Sequence, residues 1–290
     1  MFGFLNVYKP KGKTSHDVVA TLRRVTKIKQ IGHTGTLDPF AEGVLPICIG
    51  NATRLIEYLE DDKAYIGTIK LGEATDTYDI EGRTTKTSDK IVSLTEIEDV
   101  LKIFEGEIEQ TPPIYSAIKI NGKKLYEYAR NGEKIEIKPR KVFIDNIHVV
   151  NYNNKDRTIE IYVSCSKGTY IRSIANDIGE ALGSYGHLVK LVRIKAGKFE
   201  LKDSIKLEEL ETKEKIEAWL QNPLKFLNLP EYELNTEELK KIANGNSIDI
   251  KLDDGMAILT FNKEIAAIGM INKNIFKCKK VFVPPKAEHQ

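Results

Sequence analysis

Hydrophobic residues recur at helical spacing in four stretches of the chain. In the first stretch, Val18, Leu22 and Val25 mark one buried face behind Thr14 or Ser15, either of which can cap the helix. The other helices are predicted from a capping box at Thr95 and Glu98 toward Phe104, from Tyr170 to a stop at Gly183, and from Thr236 to Ala243. Such spacing buries one side of each helix and leaves the other side in solvent.

Other stretches are rich in β-forming residues and predict strands, and residues 64–71 alternate like a half-buried strand. The predicted strands span residues 64–71, 141–150, 158–164, 256–261 and 265–271, with a polar turn at residues 151–157. Residues 31–46 hold three glycines and two prolines, too many breakers for a regular element, and are predicted to form a loop. The irregular order of strands and helices predicts a mixed α/β or α+β class around a largely antiparallel sheet.

A change of pattern between Pro223 and Pro230 predicts a domain boundary near residue 230. At 290 residues the chain suits one large domain, with or without a small appendage. The last 60 or so residues contain one short helix and two β-rich segments, and a module of that size is marginal unless it packs against a larger partner. We therefore expect one domain over residues 1–230 and a β-rich C-terminal unit over residues 231–290.

The composition is that of a soluble globular protein. Hydrophobic residues make up 41% of the chain and charged residues 30%, and no apolar run approaches the roughly 20 residues that a membrane helix needs. The N-terminal residues lack the apolar stretch and the cleavage site of a signal peptide, so a cytoplasmic protein with no membrane partner is expected. Cys48, Cys165 and Cys278 are odd in number and far apart, which predicts inert packing residues rather than disulfides or a zinc site.

Basic residues are concentrated in two segments, although the whole chain carries a net charge of only +2. Residues 1–30 contain seven basic residues and one acidic residue, and residues 186–202 contain five and one. Separate basic segments suit a surface that follows a phosphate backbone. A solvated charged surface is the simpler interpretation from charge alone, so both interpretations stay open.

Three motifs that suggest common ligands fail on spacing. Gly12-Lys13-Thr14 resembles the end of a P-loop, but the first glycine of that motif would fall at Val7. Asp76, Asp79 and Glu81 cluster as calcium ligands do, yet the register of a calcium loop is absent and a turn with self-capping aspartates fits better. The five histidines form no pair at metal-binding spacing. The sequence therefore predicts no nucleoside triphosphate site, no metal and no cofactor.

Asp38 stands in the middle of the glycine-rich segment 31–46. Pro39 restricts Asp38 to an extended conformation, and the glycines around it let the backbone approach a bulky ligand closely. An isolated aspartate before proline is ordinarily a turn former. A catalytic carboxylate and a simple turn both remain open on these residues alone.

Two tyrosines and an arginine lie where predicted strands and helices begin. Residues 167–172 leave a strand and enter a helix, which would display Tyr170 and Arg172 at the first turn of the helix. Tyr65, in Lys63-Ala-Tyr65, lies at the start of another strand. The alternative is that both tyrosines pack in the core and the guanidinium is solvated.

Seven motifs resemble, in order and in spacing, those of the bacterial tRNA pseudouridine-55 synthases, the TruB-type family that isomerises one uridine in the T-loop of tRNA. They are Lys9-Pro-x-Gly-x-Thr-Ser15, Gly32-His-Thr-Gly-Thr-Leu-Asp-Pro39, Gly43-Val-Leu-Pro46, Asp76-Thr-x-Asp79, Pro112-Pro-x-Tyr-Ser-Ala117, Leu125-Tyr-Glu-Tyr-Ala-Arg130 and Gly168-Thr-Tyr-Ile-Arg172. Chance is a poor explanation for seven motifs in register. The resemblance implies an α+β pseudouridine synthase fold with a mixed, largely antiparallel sheet flanked by helices, and a small PUA-like RNA-binding domain over residues 231–290.

The resemblance also implies roles for individual residues of the pocket. Asp38 matches the essential aspartate of the family, and Arg172 matches the arginine paired with it. Tyr65 matches the aromatic residue that stacks on the target base. Tyr170 and Leu191 match further residues around the base.

Other residues are implied in RNA binding. His33 matches a residue near the stack that the extruded nucleotide has left, and residues 112–141 correspond to an insertion that clamps the RNA. The basic residues expected to contact RNA are Lys9, Arg23, Arg24, Lys190 and Arg193. Three positions depart from the common pattern, namely Phe40, Glu42 and Val192, the last of which removes one potential phosphate contact.

The expected activity is conversion of uridine 55 of tRNA to pseudouridine by an aspartate nucleophile acting on a flipped base. The expected partner is the T-stem-loop of tRNA, bound by a monomer that needs no other protein. Two alternatives compete with this function: an RNA-binding module or tRNA chaperone without chemistry, and a synthase that depends on guide RNA. The trio Asp38, Tyr65 and Arg172 argues against the first, and the scarcity of sequence beyond the two expected domains argues against the second.

Overall fold

The computed structural model describes residues 1–133 and 135–282. Lys134, in the predicted RNA-clamping insertion, and residues 283–290, in the predicted C-terminal domain, lie outside the described residues. None of the helices in the described ranges has the length and hydrophobicity that crossing a membrane requires.

Helices and strands alternate irregularly along the described chain. The helices are α1 (Ser15–Thr26), α2 (Leu94–Leu101), α3 (Leu125–Arg130), α4 (Ile171–Ala181), α5 (Lys213–Trp219) and α6 (Thr236–Ala243). Short 3₁₀ segments span Gly50–Tyr58, Lys102–Phe104, Leu201–Asp203, Leu207–Glu209 and Pro223–Phe226. The strands are β1 (Gly3–Lys9), β2 (Ile31–His33), β3 (Glu42–Ile49), β4 (Lys63–Leu71), β5 (Glu73–Thr75), β6 (Thr84–Thr87), β7 (Gly106–Gln110), β8 (Lys119–Ile120), β9 (Lys123–Lys124), β10 (Arg140–Asn153), β11 (Thr158–Cys165), β12 (Gly186–Ala196), β13 (Phe199–Glu200), β14 (Ile205–Lys206), β15 (Glu231–Glu233), β16 (Ile248–Asp249), β17 (Gly255–Phe261), β18 (Glu264–Asn272) and β19 (Ile275–Val281).

A ten-stranded sheet forms the centre of the molecule. Its order is β14-β1-β3-β12-β4-β11-β10-β7, with β13 beside β12 and β2 beside β3. The strands run antiparallel to their neighbours except in two pairs, β1 with β14 and β3 with β12. The predicted α+β class, with a mixed and largely antiparallel sheet flanked by helices, is confirmed.

Alternation along β3 sends its side chains into two different cores. Leu45 and Ile47 pack on one side with residues of α1 and α5. Val44 and Cys48 point to the opposite side, where they pack with residues of the C-terminal sheet. A third core lies between the β4–β11–β10 part of the sheet and the helices α2 and α4. The central sheet is therefore covered on both faces at β3, and the candidate site lies toward the third core.

Helix α1 begins and ends as the local sequence predicts. Thr14 is its N-cap, and Thr14 and Asp17 form a reciprocal capping box. The predicted hydrophobic face is confirmed, since Val18 and Leu22 are fully buried. The helices predicted after Tyr170 and over Thr236–Ala243 are likewise present as α4 and α6.

Two local predictions are wrong. Residues 31–46 are not loop throughout, because β2 and β3 occupy both ends of the segment and only the residues between His33 and Glu42 are irregular. The capping box of α2 is formed by Ser93 and Glu96 rather than by Thr95 and Glu98. A helix that begins after Ser93 places Ile97 and Leu101 in the core. Tertiary packing therefore selects between the two overlapping capping patterns.

The C-terminal unit is a five-stranded sheet in the order β15-β17-β18-β19-β16, with α6 packed on it. It does not stand alone, since Ile258 and Ile268 share a core with the central sheet. Three aromatic rings lie at the junction: Phe199 and Phe226 stack with their centroids 4.1 Å apart, and Phe4 meets both edge-on. This packing supplies the support that a unit of its size needs.

Gly43 is a position where the fold admits no side chain. Its φ is +107°, and an added Cβ would lie 2.3 Å from the carbonyl oxygen of Arg193 on the neighbouring strand β12. We expect Gly43→Ala to lower the free energy of unfolding by about 3 kcal/mol or more, from backbone strain and overpacking together. Chemical denaturation measures the loss. Gly122→Ala is the matched control, because its φ is +80° and nothing lies within 4 Å of the added Cβ; equal losses in the two variants would contradict the role of the close approach.

Candidate active site

Five residues that the sequence singled out line one cavity of about 400 Å³. They are Asp38, Tyr65, Tyr170, Arg172 and Leu191. The cavity lies where β4 begins and β11 ends, since Lys63 pairs with Cys165 there. The loop between β2 and β3 forms one wall, the start of α4 another, and residues 115–117 and Tyr126 of the insertion close a third side.

Strand alternation and helix capping bring these side chains together. Residues 63, 65 and 67 share one face of β4, and Leu191 on β12 lies opposite Gly67 in the ladder. Tyr170 is the N-cap of α4, so Arg172 follows in the first turn of that helix. The predicted placement of Tyr170 and Arg172 at a helix start agrees with this geometry.

The carboxylate of Asp38 is held by the guanidinium of Arg172. Nη2 of Arg172 donates to Oδ1 of Asp38 at 3.1 Å, and Nε lies 2.9 Å from Oδ2. The second contact is a close ion pair without aligned hydrogen-bond geometry, because the N–H of Nε finds no well-directed acceptor. The Arg172 side chain is only 5% exposed, whereas that of Asp38 is 31% exposed toward the cavity. The pair therefore presents one fixed carboxylate to whatever enters.

Arg172 is itself fixed from three other directions. Nη1 lies 3.4 Å from Oδ2 of the buried Asp79 and donates to the carbonyl of Thr77 at 3.2 Å. Nη2 also donates to the carbonyl of Tyr115, in the insertion, at 3.0 Å. Burial raises the pKa of Asp79, against the opposing effects of the Thr77 hydroxyl and of Arg172. Sequence analysis took Asp79 for a turn former and missed this role, although the motif Asp76-Thr-x-Asp79 gave the signal.

The loop that carries Asp38 is tied down by a buried lysine. Nζ of Lys9 donates to the carbonyls of Pro10, Lys13 and Pro39, and the side chain is fully buried. Burial lowers the pKa of Lys9 to about 8. The prediction that Lys9 contacts phosphate is wrong, because its ammonium is enclosed by backbone carbonyls beneath the loop.

Arg193 needs the same correction. It is fully buried on β12, and its guanidinium donates to the carbonyls of Val44 and Gly35 at 2.7 and 3.0 Å. These bonds tie the irregular loop to the start of β3. The guanidinium therefore shapes the cavity wall and is not accessible to RNA, so its predicted phosphate contact is wrong. Lys9 and Arg193 are both structural cations of the same loop.

Tyr65 forms the apolar floor of the cavity together with Leu191. Both side chains are buried apart from small fractions that line the cavity. Burial raises the pKa of the Tyr65 phenol, and Arg193 acts in the opposite direction. A protonated phenol that can donate a hydrogen bond is therefore the stable form of Tyr65 at neutral pH.

Lys63 is a cavity residue that sequence analysis did not select. It lies two residues before Tyr65, and alternation therefore brings both side chains to the same face of β4. Nζ donates to the carbonyl of Asp61 at 3.0 Å, and burial followed by the charge of Arg193 lowers the pKa of Lys63. The signal in the sequence is the spacing of Lys63 two residues before Tyr65.

The other predicted RNA contacts lie outside the cavity. His33 is half-buried on β2 with no partner for Nδ1, and burial lowers its pKa, so its imidazole is neutral at pH 7. Arg23 is exposed on α1, although its guanidinium donates to the carbonyl of Ile31 at 2.8 Å. Arg24 and Lys190 are exposed and available to a ligand.

Within the described residues, no group of three or more His, Cys, Asp or Glu side chains is arranged to hold a metal ion. Cys48 lies close to the loop in sequence but is fully buried in the core, and burial raises the pKa of its thiol to about 12. It is a packing residue, as predicted.

Lys9→Met tests the structural role of the buried ammonium. Methionine fills a similar volume but removes the donor from three carbonyls, of which that of Pro39 still accepts the Gly12 N–H while those of Pro10 and Lys13 lose this bond, so we expect the free energy of unfolding to fall by about 3 kcal/mol. Denaturant titration measures this loss, with Lys11→Met as the control because Lys11 is exposed on the adjacent turn. An unchanged stability for Lys9→Met would contradict the assignment.

Comparison with known proteins places this site in a family. A TruB family pseudouridylate synthase (N terminal domain) profile matches residues 23–171, and a tRNA pseudouridylate synthase B C-terminal domain profile matches residues 172–226. The tRNA pseudouridine synthase B of Carboxydothermus hydrogenoformans is 43% identical, and that of Staphylococcus aureus strain JH9 is 44% identical; each match covers 97% of this chain and 99% of the relative.

Solved structures agree with this relationship. A chain of an H/ACA ribonucleoprotein bound to a substrate RNA containing 2′-deoxyuridine superposes with a TM-score of 0.73 at 25% identity. A chain of a Cbf5-Nop10-Gar1 complex superposes with a TM-score of 0.72 at 26% identity, and both matches cover 98% of this chain and 86% of the other. With the family profiles and the nearly full-length identity to curated relatives, these findings show that the chain belongs to the TruB family of pseudouridylate synthases.

Proposed function

We propose that this pseudouridine synthase converts uridine 55 in the T-loop of tRNA to pseudouridine, with Asp38 as the catalytic carboxylate. The observation that carries the proposal is the Asp38–Arg172 pair, which presents an accessible carboxylate at the wall of a cavity floored by Tyr65. The curated relatives that the chain matches along nearly its whole length are tRNA pseudouridine synthases B, which supports tRNA as the substrate.

The reaction needs one well-placed carboxylate and a sheltered base. The bond from C1′ to N1 of uridine breaks, the uracil turns over, and C5 joins C1′; the proton on C5 leaves and N1 gains one. Asp38 can attack C1′, attack the base, or assist departure of the base as an anion, and each role uses the same fixed carboxylate. Because the isomerisation changes no oxidation state and adds no atoms, no redox partner or co-substrate is required.

The cavity suits an extruded nucleoside. Its volume of about 400 Å³ falls in the range of small-molecule sites. Flipping a base costs a few kcal/mol of lost stacking, which the rings of Tyr65 and Tyr170 can offset by contact with the uracil. Leu191 and Ile171 line the same space with apolar surface, which helps to keep water from the detached base.

The RNA backbone would be held by basic residues around the mouth of the cavity. Residues 112–141 contain eight basic and three acidic residues, which suits a clamp on phosphates. Within this insertion, the Tyr126 ring lines the cavity and lies beneath the cationic groups of Lys124 and Arg130. Arg23, Arg24 and Lys190 add exposed positive charge, and His33 would occupy the stack that the base has left. These contacts would position a folded T-loop without reading its sequence.

The remaining expectations belong to the same proposal. We propose that the protein acts as a monomer without a protein partner. We propose that the C-terminal sheet, beginning at Glu231, is a PUA-like RNA-binding unit. The preceding residues then form the catalytic domain. The enzyme would act on tRNA in the cytoplasm. A guide-RNA-dependent synthase is less well supported, because identity to the H/ACA and Cbf5 structures is about 25% against more than 40% to the tRNA synthases.

Asp38→Asn tests the catalytic carboxylate. Because the amide keeps the size of the side chain but removes the nucleophile, conversion should fall by about a thousandfold or more while tRNA affinity changes little. Tritium release from C5-labelled uridine in an unmodified tRNA transcript measures conversion, and filter binding measures affinity. Asp145→Asn, at an exposed position on β10, is the matched control. Full activity of Asp38→Asn would end the assignment.

Lys63→Ala tests whether the cavity-facing ammonium binds a phosphate of the flipped nucleotide. Loss of one phosphate contact should weaken tRNA binding and lower the slope of log K against log salt by about 0.7 to 0.9. Lys70→Ala is the control on the same strand, since Lys70 lies away from the cavity and donates to the carbonyl of Asp156. An unchanged salt slope for Lys63→Ala, or an equal change for Lys70→Ala, would exclude the contact.

A further inference from the structure

Gln110, at the end of β7, holds the main chain of Tyr170 with both ends of its carboxamide. Nε2 of Gln110 donates to the Tyr170 carbonyl at 3.0 Å, and Oε1 accepts the Tyr170 N–H at 2.8 Å. Only one orientation of the amide satisfies both bonds, because a backbone N–H can only donate and a carbonyl can only accept. Gln110 is 1% exposed, so the clamp is enclosed and its two bonds do not exchange freely with water.

The clamped residue occupies a position with direct consequences for the cavity. Tyr170 lines the cavity and is the N-cap of α4, where its own side chain makes no capping bond. Arg172, the partner of Asp38, lies in the first turn of the same helix. A shift of Tyr170 would therefore move an aromatic wall of the cavity together with the start of the helix that carries the guanidinium.

The clamp also lies at the base of the insertion, where the insertion leaves and rejoins the sheet. Gln110 lies two residues before the insertion, and it pairs across the sheet with Arg140, near the end of the insertion. The Arg140 guanidinium lies 5.0 Å from the centroid of the Tyr170 ring and donates to the carbonyl of Gly168. The two strands that flank the insertion thus both contact Tyr170, β7 through its main chain and β10 through its ring.

We propose that Gln110 is a positioning residue for isomerisation: by fixing the main chain of Tyr170 it aligns the pocket wall and the start of α4, and it ties that alignment to the base of the RNA-clamping insertion. The proposal rests on the function proposed above. A simple structural role would be to satisfy a buried helix start, and that role predicts lost stability without a specific loss of rate.

Gln110→Met tests the proposal, because methionine keeps the length of the side chain but removes both bonds. We expect the single-turnover rate at saturating enzyme to fall about 10- to 100-fold, as a small misplacement of catalytic groups does, with tRNA affinity changed by no more than about twofold. Ser173→Ala is the matched control: the Ser173 hydroxyl donates to the carbonyl of Thr111, the residue after Gln110, without touching Tyr170. A wild-type rate for Gln110→Met, or an equal loss for Ser173→Ala, would overturn the proposal.

A double-mutant cycle separates positioning from structural support. In a Tyr170→Ala background, removing the clamp should lower the rate by a smaller factor than in the wild type, because the ring that it positions is gone and the clamp then holds only the start of α4. The same 10- to 100-fold loss in both backgrounds would show that Gln110 acts elsewhere and would overturn the proposal. If Gln110→Met does not fold, Gln110→Asn, whose shorter amide cannot span both bonds, takes its place with the same expected results. Failure of the proposed function is distinguishable, since the wild-type enzyme would then convert no tRNA.

Discussion

The contact between Asp38 and Arg172 is the constraint around which the site is built. A guanidinium that is almost completely buried needs acceptors on all sides, and here Asp38, Asp79 and the carbonyls of Thr77 and Tyr115 supply them. Because Asp79 and Thr77 are not among the residues that line the cavity, they hold Arg172 from behind and keep Asp38 in place. The arrangement leaves one carboxylate partly exposed to the cavity. The carboxylate is thereby preorganised for reaction. Preorganisation raises the catalytic rate because no free energy is spent on orienting the group when the reaction occurs.

A second level of support holds the loop that carries Asp38. Lys9 and Arg193 are fully buried cations whose donors are directed at backbone carbonyls of this loop and its neighbours. A loop rich in glycine and proline makes few backbone hydrogen bonds within itself. The side chains of Lys9 on β1 and Arg193 on β12 supply hydrogen bonds that neighbouring strands would otherwise provide. Gly43 lets β3 approach Arg193 closely enough for this to occur. The short, irregular wall of the cavity is therefore rigid for tertiary reasons.

Sequence could predict what depends on local interactions. Helix α1 follows from a capping residue and helical spacing, and the alternation of β4 follows from hydrophobic period alone. Strands β2 and β3 are not evident from the sequence. Backbone hydrogen bonds to neighbouring strands stabilise them despite the glycines and prolines between Ile31 and Pro46. Lys9 and Arg193 were assigned to the surface because basic residues are usually exposed. Only folding reveals the carbonyls that converge on them. Tyr65, Asp38 and Arg172 were identified through family resemblance, since residues so far apart in the chain give no local sign of contact.

The account depends on an extruded uridine meeting Asp38 inside the cavity. The most direct measurement is a crystal structure of the Asp38→Asn variant bound to unmodified tRNA. We predict that nucleotide 55 lies outside the T-loop stack, against the Tyr65 ring, with C1′ or the base within about 3 to 3.5 Å of the side chain at position 38. A structure in which uridine 55 remains stacked in the T-loop, or enters the protein away from Arg172, would contradict the account.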